Sequence, residues 1–149
     1  YNWHGTGVAI PVFSLRSKKG WGVGEFLDLK RMADWAIARG QKLIQILPIN
    51  DTTSTHTDLD SYPYRANSVY ALHPMYLNME ALGKLDSLSK MKEYRAKAKE
   101  LNELSAINYS AVNELKWNYI RDIFAEKYDE IVADKNFKSF VKEKVSTKE

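Results

Sequence analysis

The sequence contains no cysteine, few histidines and no long apolar run. Without cysteine, neither a disulfide framework nor a cysteine-based zinc site can form. The three histidines, His4, His56 and His73, are scattered and lack the spacing of metal ligands. No apolar run approaches the roughly 18 residues of a membrane-spanning helix, and no signal peptide is visible. We therefore predict a cytoplasmic protein that uses no metal or other cofactor and has no membrane partner.

The charge of the chain is small and spread out. Its 149 residues carry a formal net charge of +3. No basic block is interleaved with aromatic residues, which argues against nucleic acid as a partner. The size and the 44% hydrophobic content suit one modest globular domain. Because the chain begins at Tyr1 without methionine and ends in a charged run, we expect a piece of a longer protein.

Apolar patterns in the first fifty residues predict a strand, a helix and a second strand. Residues 7–13 (GVAIPVF) are a short apolar run typical of a buried strand, and residues 41–49 (QKLIQILPI) predict a second apolar strand closed by Pro48. Residues 24–40 between them place apolar side chains at helical spacing, and Gly40 supplies the expected stop. Short connections make this a βαβ unit, which favours parallel pairing of the strands.

The second half of the chain predicts a mostly helical region. Helices are expected over residues 87–104, 108–134 and 136–144, and a short strand or helix over 75–82. Asn108 or Ser110 is the expected N-cap of the longest helix. Among the tryptophans, Trp35 and Trp117 lie in predicted helices, where we expect them to pack.

Loops after the carboxyl ends of the two strands are the expected place for a ligand. The first, residues 14–23, carries glycines as G-x-G-x-G rather than in a phosphate-binding pattern, which favours a tight turn. The second, residues 49–68, carries Asp51, Asp58 and Asp60. Those carboxylates could form an acid/base pair, but loop acids in solvent are the favoured interpretation.

The stretch DSYPYRANSVYALHP, residues 60–74, is rigid and rich in aromatic hydroxyl groups. Pro63 fixes its own φ and restricts Tyr62, so the ring of Tyr64 is presented at little entropic cost. Such a ring can stack on the apolar face of a sugar or bond to its hydroxyl edge. Ser61 and Asp60 offer further hydrogen-bonding groups.

Packing is the competing role for these tyrosines. For Tyr62, Tyr70 and Tyr76 we favour loop-anchoring core positions, whereas position alone leaves both roles open for Tyr64.

Two segments together resemble a known family. Residues 5–53 and the motif DSYPYRANSVYALHPMYL, residues 60–77, resemble the start of the catalytic domain of 4-α-glucanotransferases. These are the amylomaltases or disproportionating enzymes of glycoside hydrolase family 77. The motifs DSYPY and ALHP are most similar to those of the plant cytosolic branch. Simpler bacterial amylomaltases have DSPY and AGNP at these places instead. The likeness is looser over residues 109–140.

The resemblance implies an α/β fold, the opening β-α-β part of a (β/α)8 TIM barrel followed by a mostly helical region. Residues 1–82 would start the barrel and carry the substrate loops 14–23 and 49–68, and residues 83–149 would form a helical subdomain. The implied activity is transfer of α-1,4-glucan segments between glucans, glucose or maltose, with retention through a covalent glycosyl-enzyme. The implied partners are α-1,4-glucans and malto-oligosaccharides.

The resemblance also implies roles for individual residues. Tyr64 matches the tyrosine that stacks on the sugar at the cleavage subsite, and Ser61 matches a neighbouring ligand-binding serine. Asp60 is a weaker match. Tyr62 is an extra residue relative to the shorter DSPY motif, and its role is open. The family's nucleophilic aspartate and acid/base glutamate lie further along the barrel, so we expect no catalytic residue in this chain. Starch-binding modules are expected before Tyr1, as in the plant branch.

An incomplete barrel leaves apolar strand edges uncovered. Its own helices, the remainder of the enzyme or self-association of the chain could cover them. Two other functions stay open on the residues alone. One is a carbohydrate-binding or helical interaction module without catalysis, and the other is an α-amylase-like hydrolase.

The expected absence of the reacting carboxylates gives a first prediction. The isolated 149-residue chain should not transfer glucose between maltose or maltotriose molecules, because it holds only part of a substrate site. Chromatography of the sugars after incubation measures this. Formation of longer glucans by the purified chain would contradict the prediction.

Overall fold

The computed structural model describes residues 2–146, and it is an α/β structure with two strands and mostly helices. Tyr1 and residues 147–149, on which the expectation of a longer protein partly rests, lie outside the described residues. The strands are β1 (Gly7–Ile10) and β2 (Leu43–Ile46), and the helices are α1 (Asp28–Ala38), α2 (Met79–Leu82), α3 (Leu88–Glu103), α4 (Tyr109–Ala133) and α5 (Lys135–Ser146). Short 3-10 turns occupy Val12–Ser14, Asp58–Ser61 and Pro74–Tyr76.

The two strands pair in parallel, which confirms the predicted βαβ unit. Their register runs from Gly7 opposite Leu43 to Ile10 opposite Ile46. β1 is shorter than predicted because Pro11, which has no N–H, is followed by a 3-10 turn. The prediction of a buried strand over 7–13 is wrong for β1 itself, whose residues alternate between exposed and half-buried. Only one face of the sheet is therefore covered by the described residues.

Helix α1 crosses between the strands as expected, but it begins at Asp28 rather than at residue 24. The carboxylate of Asp28 accepts a hydrogen bond from the Glu25 amide at 2.9 Å, so residues before the helix form a turn. Gly40 follows the helix with φ of +69°, the left-handed conformation of a helix stop. Trp35, predicted to pack, is 45% exposed, and that prediction is wrong in this structure.

The remaining helices match the sequence patterns closely. Asn108 caps α4, since its side-chain oxygen accepts a hydrogen bond from the Ala111 amide at 3.0 Å. This confirms one of the two predicted caps. Residues 75–82 form a 3-10 turn and α2 rather than a strand.

Two clusters of buried side chains form the core, and both join the first part of the chain to the helical part. One contains Trp21, Met79, Leu85, Met91, Ala98, Leu115, Tyr119 and Ile123, and the other contains Val12, Val23, Met75, Tyr76 and Val112. In the first cluster the ring of Tyr119 meets Trp21 edge-on, with centroids 5.1 Å apart. Trp21, which lies in the predicted loop 14–23, is buried.

A buried ion pair joins α4 to the loop before α1. Lys116 of α4 is 1% exposed, and its Nζ donates hydrogen bonds to Glu25 Oε1 at 2.7 Å and to the carbonyls of Met75 and Leu77 at 2.7 and 2.8 Å. Glu25 Oε2 accepts a bond from Asn78 Nδ2 at 2.7 Å. Burial raises the pKa of Glu25 and lowers the pKa of Lys116, and the attraction between the two opposes both shifts. All three ammonium hydrogens thus have acceptors.

Removing one partner of this pair should destabilise the fold strongly. Lys116→Met leaves the Glu25 carboxylate buried without a counter-charge, which should cost about 3–5 kcal/mol of the free energy of unfolding. Urea unfolding followed by circular dichroism measures the loss. Lys97→Met, which breaks the exposed pair of Lys97 and Glu93, is the matched control and should change the midpoint little.

A second substitution separates charge burial from lost packing. Adding Glu25→Gln to Lys116→Met should recover part of the stability, because no charge is then left buried. A loss below about 1 kcal/mol for Lys116→Met alone would contradict the inference.

Candidate functional site

The loop that follows β2 is closed at its base by backbone hydrogen bonds. Asn50 and Leu72 form an isolated antiparallel bridge, and the His73 amide donates to the Ile49 carbonyl at 2.9 Å. The two ends of the loop, residues 49–73, therefore lie side by side just beyond the carboxyl end of β2.

His73 is buried at this base. Its Nδ1 accepts a hydrogen bond from the Met75 amide at 3.1 Å, and its Nε2 lies 4.0 Å from Asp51 Oδ1. Burial lowers the pKa of His73, while Asp51 and Asp60 oppose that shift. An acceptor at Nδ1 places the proton of the neutral ring on Nε2, facing Asp51. His73 is thus a structural link between the loop and the turn that follows it.

Asp60 organises the interior of the loop. Its carboxylate accepts bonds from the amides of Ser54, Thr55 and His56 at 3.0, 3.0 and 2.8 Å and from the Thr55 hydroxyl at 2.9 Å. Burial acts to raise the pKa of Asp60, but these hydrogen bonds outweigh it and lower the pKa to about 2. They also hold His56 at a φ of 57°, a left-handed conformation uncommon outside glycine.

The other two loop carboxylates also bond to protein groups. Asp51 Oδ1 accepts from the Thr53 amide and hydroxyl at 3.0 and 2.6 Å. Asp58 Oδ1 accepts from the amide and hydroxyl of Ser110 at 3.1 and 2.6 Å, which ties the loop to the first turn of α4. The carboxylates of this loop therefore hold its backbone in place rather than lie free in solvent.

The aromatic rings of the DSYPY motif point the other way. Tyr62 and Tyr64 are 55% and 61% exposed, and their ring centroids lie 5.6 Å apart. Ser61 is the half-buried last residue of the 3-10 turn that also contains Asp60. The predicted site residues Tyr64, Ser61 and Asp60 thus share one short segment, with Asp60 bonded inward and Tyr64 exposed.

Packing was the wrong prediction for Tyr62, and also for Tyr70, which is 90% exposed. Tyr76 is buried as predicted, with its ring 5.5 Å from that of Phe26. The difference has a local cause. Tyr76 is the last residue of the 3-10 turn that begins at Pro74 and is buried there, whereas Tyr62 and Tyr70 lie in the loop and are exposed among the described residues.

A groove of about 500 Å³ separates this loop from α4. His56 and Asp60 line one side, and Trp117 and Arg121 line the other. Trp117, which the sequence predicted to pack, is partly exposed at this groove. The position of Trp117 in a predicted helix did not reveal its exposure, because the groove forms only where the loop meets α4.

The other predicted substrate loop, residues 14–23, forms the expected tight turn. Gly22 has φ of +87°, and the Gly20 amide donates to the Ser17 carbonyl at 3.0 Å. The Asn102 side chain of α3 donates to the same carbonyl at 2.8 Å. Helix α3 therefore holds this loop in place.

The described residues contain neither a cluster of metal ligands nor a membrane-spanning helix. Within residues 2–146 no group of three or more histidine, aspartate or glutamate side chains could hold a metal ion. In the same range, no helix combines the length and apolar character needed to cross a membrane.

Comparison with known proteins identifies the family. A family model described as 4-alpha-glucanotransferase, glycoside hydrolase family 77, matches residues 10–148. The chain belongs to this family. It is 43% identical over 142 residues to the 4-alpha-glucanotransferase DPE2 of Oryza sativa subsp. japonica. The aligned residues make up 95% of the chain and 15% of the rice protein. It is 36% identical over 118 residues to the 4-alpha-glucanotransferase of Chlamydia caviae, covering 79% of the chain and 21% of that protein.

The match to a 4-alpha-glucanotransferase of Mycobacterium tuberculosis is 31% identical over 90 residues, which is 56% of the chain and 12% of that protein. The chain thus spans about a fifth or less of the length of these curated relatives.

The hydrogen bonds to Asp60 predict how the loop responds to acid. A carboxylate whose pKa is lowered from 3.8 to about 2 stabilises the loop fully above pH 3.8 and loses that effect as pH falls through about 2. Amide resonances of Thr55 and His56 in NMR spectra should report a midpoint near pH 2. Asp60→Asn should remove this titration. A midpoint at or above 3.8 would contradict the role given to Asp60.

Proposed function

We propose that this chain supplies the start of the catalytic domain and part of the sugar site of a 4-α-glucanotransferase. The enzyme would transfer α-1,4-glucan segments between donor and acceptor glucans, glucose or maltose, with retention through a covalent glycosyl-enzyme. Family membership supports the reaction. The observation that carries the site is the exposed Tyr64 ring on a rigid loop directly after a parallel strand.

Within the proposed site, Tyr64 stacks on a glucose ring and Ser61 hydrogen-bonds to its hydroxyl edge. The C–H face of a glucose unit suits an aromatic ring, and a ring held by Pro63 loses little entropy on binding. Asp60, whose carboxylate already accepts bonds from loop amides, would act on the ligand mainly by shaping the loop. The reacting carboxylates would come from sequence outside this chain.

The proposed architecture is the opening of a (β/α)8 barrel. The parallel pair of β1 and β2 with α1 between them is the repeating unit of such a barrel. Two strands cannot close a barrel, so the outer edges of the sheet need partners. Further strands of the same enzyme are the proposed partners, and self-association of the isolated chain is the alternative. Residues 1–82 and 83–149 are proposed as the barrel start and a helical subdomain.

The proposed substrates and compartment follow from the proposed 4-α-glucanotransferase function. The substrates would be α-1,4-glucans and malto-oligosaccharides, and the compartment would be the cytoplasm. A binding module without catalysis and an α-amylase-like hydrolase are the competing functions. Products from maltotriose separate them, because a transferase makes glucose and longer glucans, a hydrolase makes only shorter sugars, and a binding module makes neither.

The role of Tyr64 can be tested in the complete polypeptide that contains this chain. Tyr64→Ala should lower the transfer rate with maltotriose roughly 2- to 12-fold, since an aromatic stacking contact contributes about 0.5–1.5 kcal/mol. Tyr64→Phe keeps the ring and should retain most of the activity. Product analysis by chromatography gives the rates. An unchanged rate for Tyr64→Ala would remove this residue from the site.

A further inference from the structure

Tyr62 has no role in the proposed function, although its ring is exposed beside that of Tyr64. The two ring planes are inclined by 52°, and more than half of each side chain is exposed. The rings are therefore tilted neighbours rather than a parallel stack that would hide one face of each. Both rings remain accessible to a ligand.

The backbone fixes the positions from which the two side chains project. Tyr62 has φ of −75° and ψ of 111°, the extended conformation required before Pro63. The Arg65 amide donates to the Tyr62 carbonyl at 3.4 Å and closes a turn around the proline. Because the turn is held by proline and a hydrogen bond, the backbone that carries both rings is already ordered before a ligand binds, which lowers the cost of binding.

A small polar recess lies beside Tyr62. Its volume is about 70 Å³, and Ser54, Thr55, Arg65 and Asn67 contribute to its walls. A typical small-molecule site is about 300 Å³ or larger, and one water occupies about 30 Å³. The recess is thus too small for a sugar ring but large enough for one or two hydroxyl groups. A sugar stacked on Tyr62 would find polar partners for its edge there.

We propose that Tyr62 is a second sugar-stacking ring of the same site, binding the glucose unit next to the one on Tyr64. The tilt between the rings then favours α-linked over β-linked chains. Successive units of an α-1,4-glucan turn relative to each other, so their apolar faces are inclined, whereas a β-1,4 chain presents flat faces. This inference rests on the proposed role of Tyr64 and extends it to chain specificity.

Binding to the 149-residue chain tests the inference, with maltotriose and cellotriose as ligands in NMR titrations. The wild-type chain should bind maltotriose more tightly than cellotriose. Tyr62→Ala should weaken maltotriose binding roughly 2- to 12-fold and reduce that preference, because it removes one stacking ring. Tyr62→Phe should keep both properties. Tyr128→Ala, which removes a half-exposed tyrosine on α4, is the matched control and should bind as the wild type does.

The outcomes separate this inference from the proposed function. If Tyr64→Ala weakens maltotriose binding but Tyr62→Ala changes neither affinity nor preference, the second ring is refuted and the proposed function stands. Equal losses for Tyr62→Phe and Tyr62→Ala would refute stacking as the role of Tyr62. If the wild-type chain binds neither sugar, both the inference and the proposed sugar site fail.

Discussion

The position of Lys116 in the interior constrains the rest of this structure. A buried ammonium group is tolerated only when a counter-charge and hydrogen-bond acceptors surround it. Here they come from Glu25, in the loop before α1, and from the carbonyls of Met75 and Leu77. If the helical part of the chain separated from the part with the strands, the two charges would therefore become exposed to solvent or remain buried without a partner. Exposed pairs such as Lys97 with Glu93 impose no such constraint.

This constraint extends by hydrogen bonds to the aromatic loop. Lys116 donates to the Met75 carbonyl, the Met75 amide donates to His73 Nδ1, and the His73 amide donates to the Ile49 carbonyl just beyond the end of β2. The base of the loop is thus fixed to the core at both ends. Asp60 then orders the loop interior by accepting backbone amides, which leaves the DSYPY rings on the outside. Core packing and presentation of the rings are parts of one connected arrangement.

Large apolar side chains are exposed on the first part of this structure. Trp35 and Leu43 lie on the βαβ unit, and each is about half exposed. An apolar pattern indicates that a face is covered, but it does not say what covers it. Trp35 was therefore predicted to pack and is exposed among the described residues.

The local structure can be read from the amino-acid order alone: the strand–helix–strand order, the helix limits near Gly40 and Asn108, and the stiff turn at Pro63. These depend on dihedral preferences and on side chains within a few residues, which are readable along the chain. The pairing of Lys116 with Glu25, 91 residues away, and the exposure of the Tyr62 ring depend instead on how the chain packs. The physical reason is that burial and ion pairing depend on which distant segments meet, and no local preference encodes that.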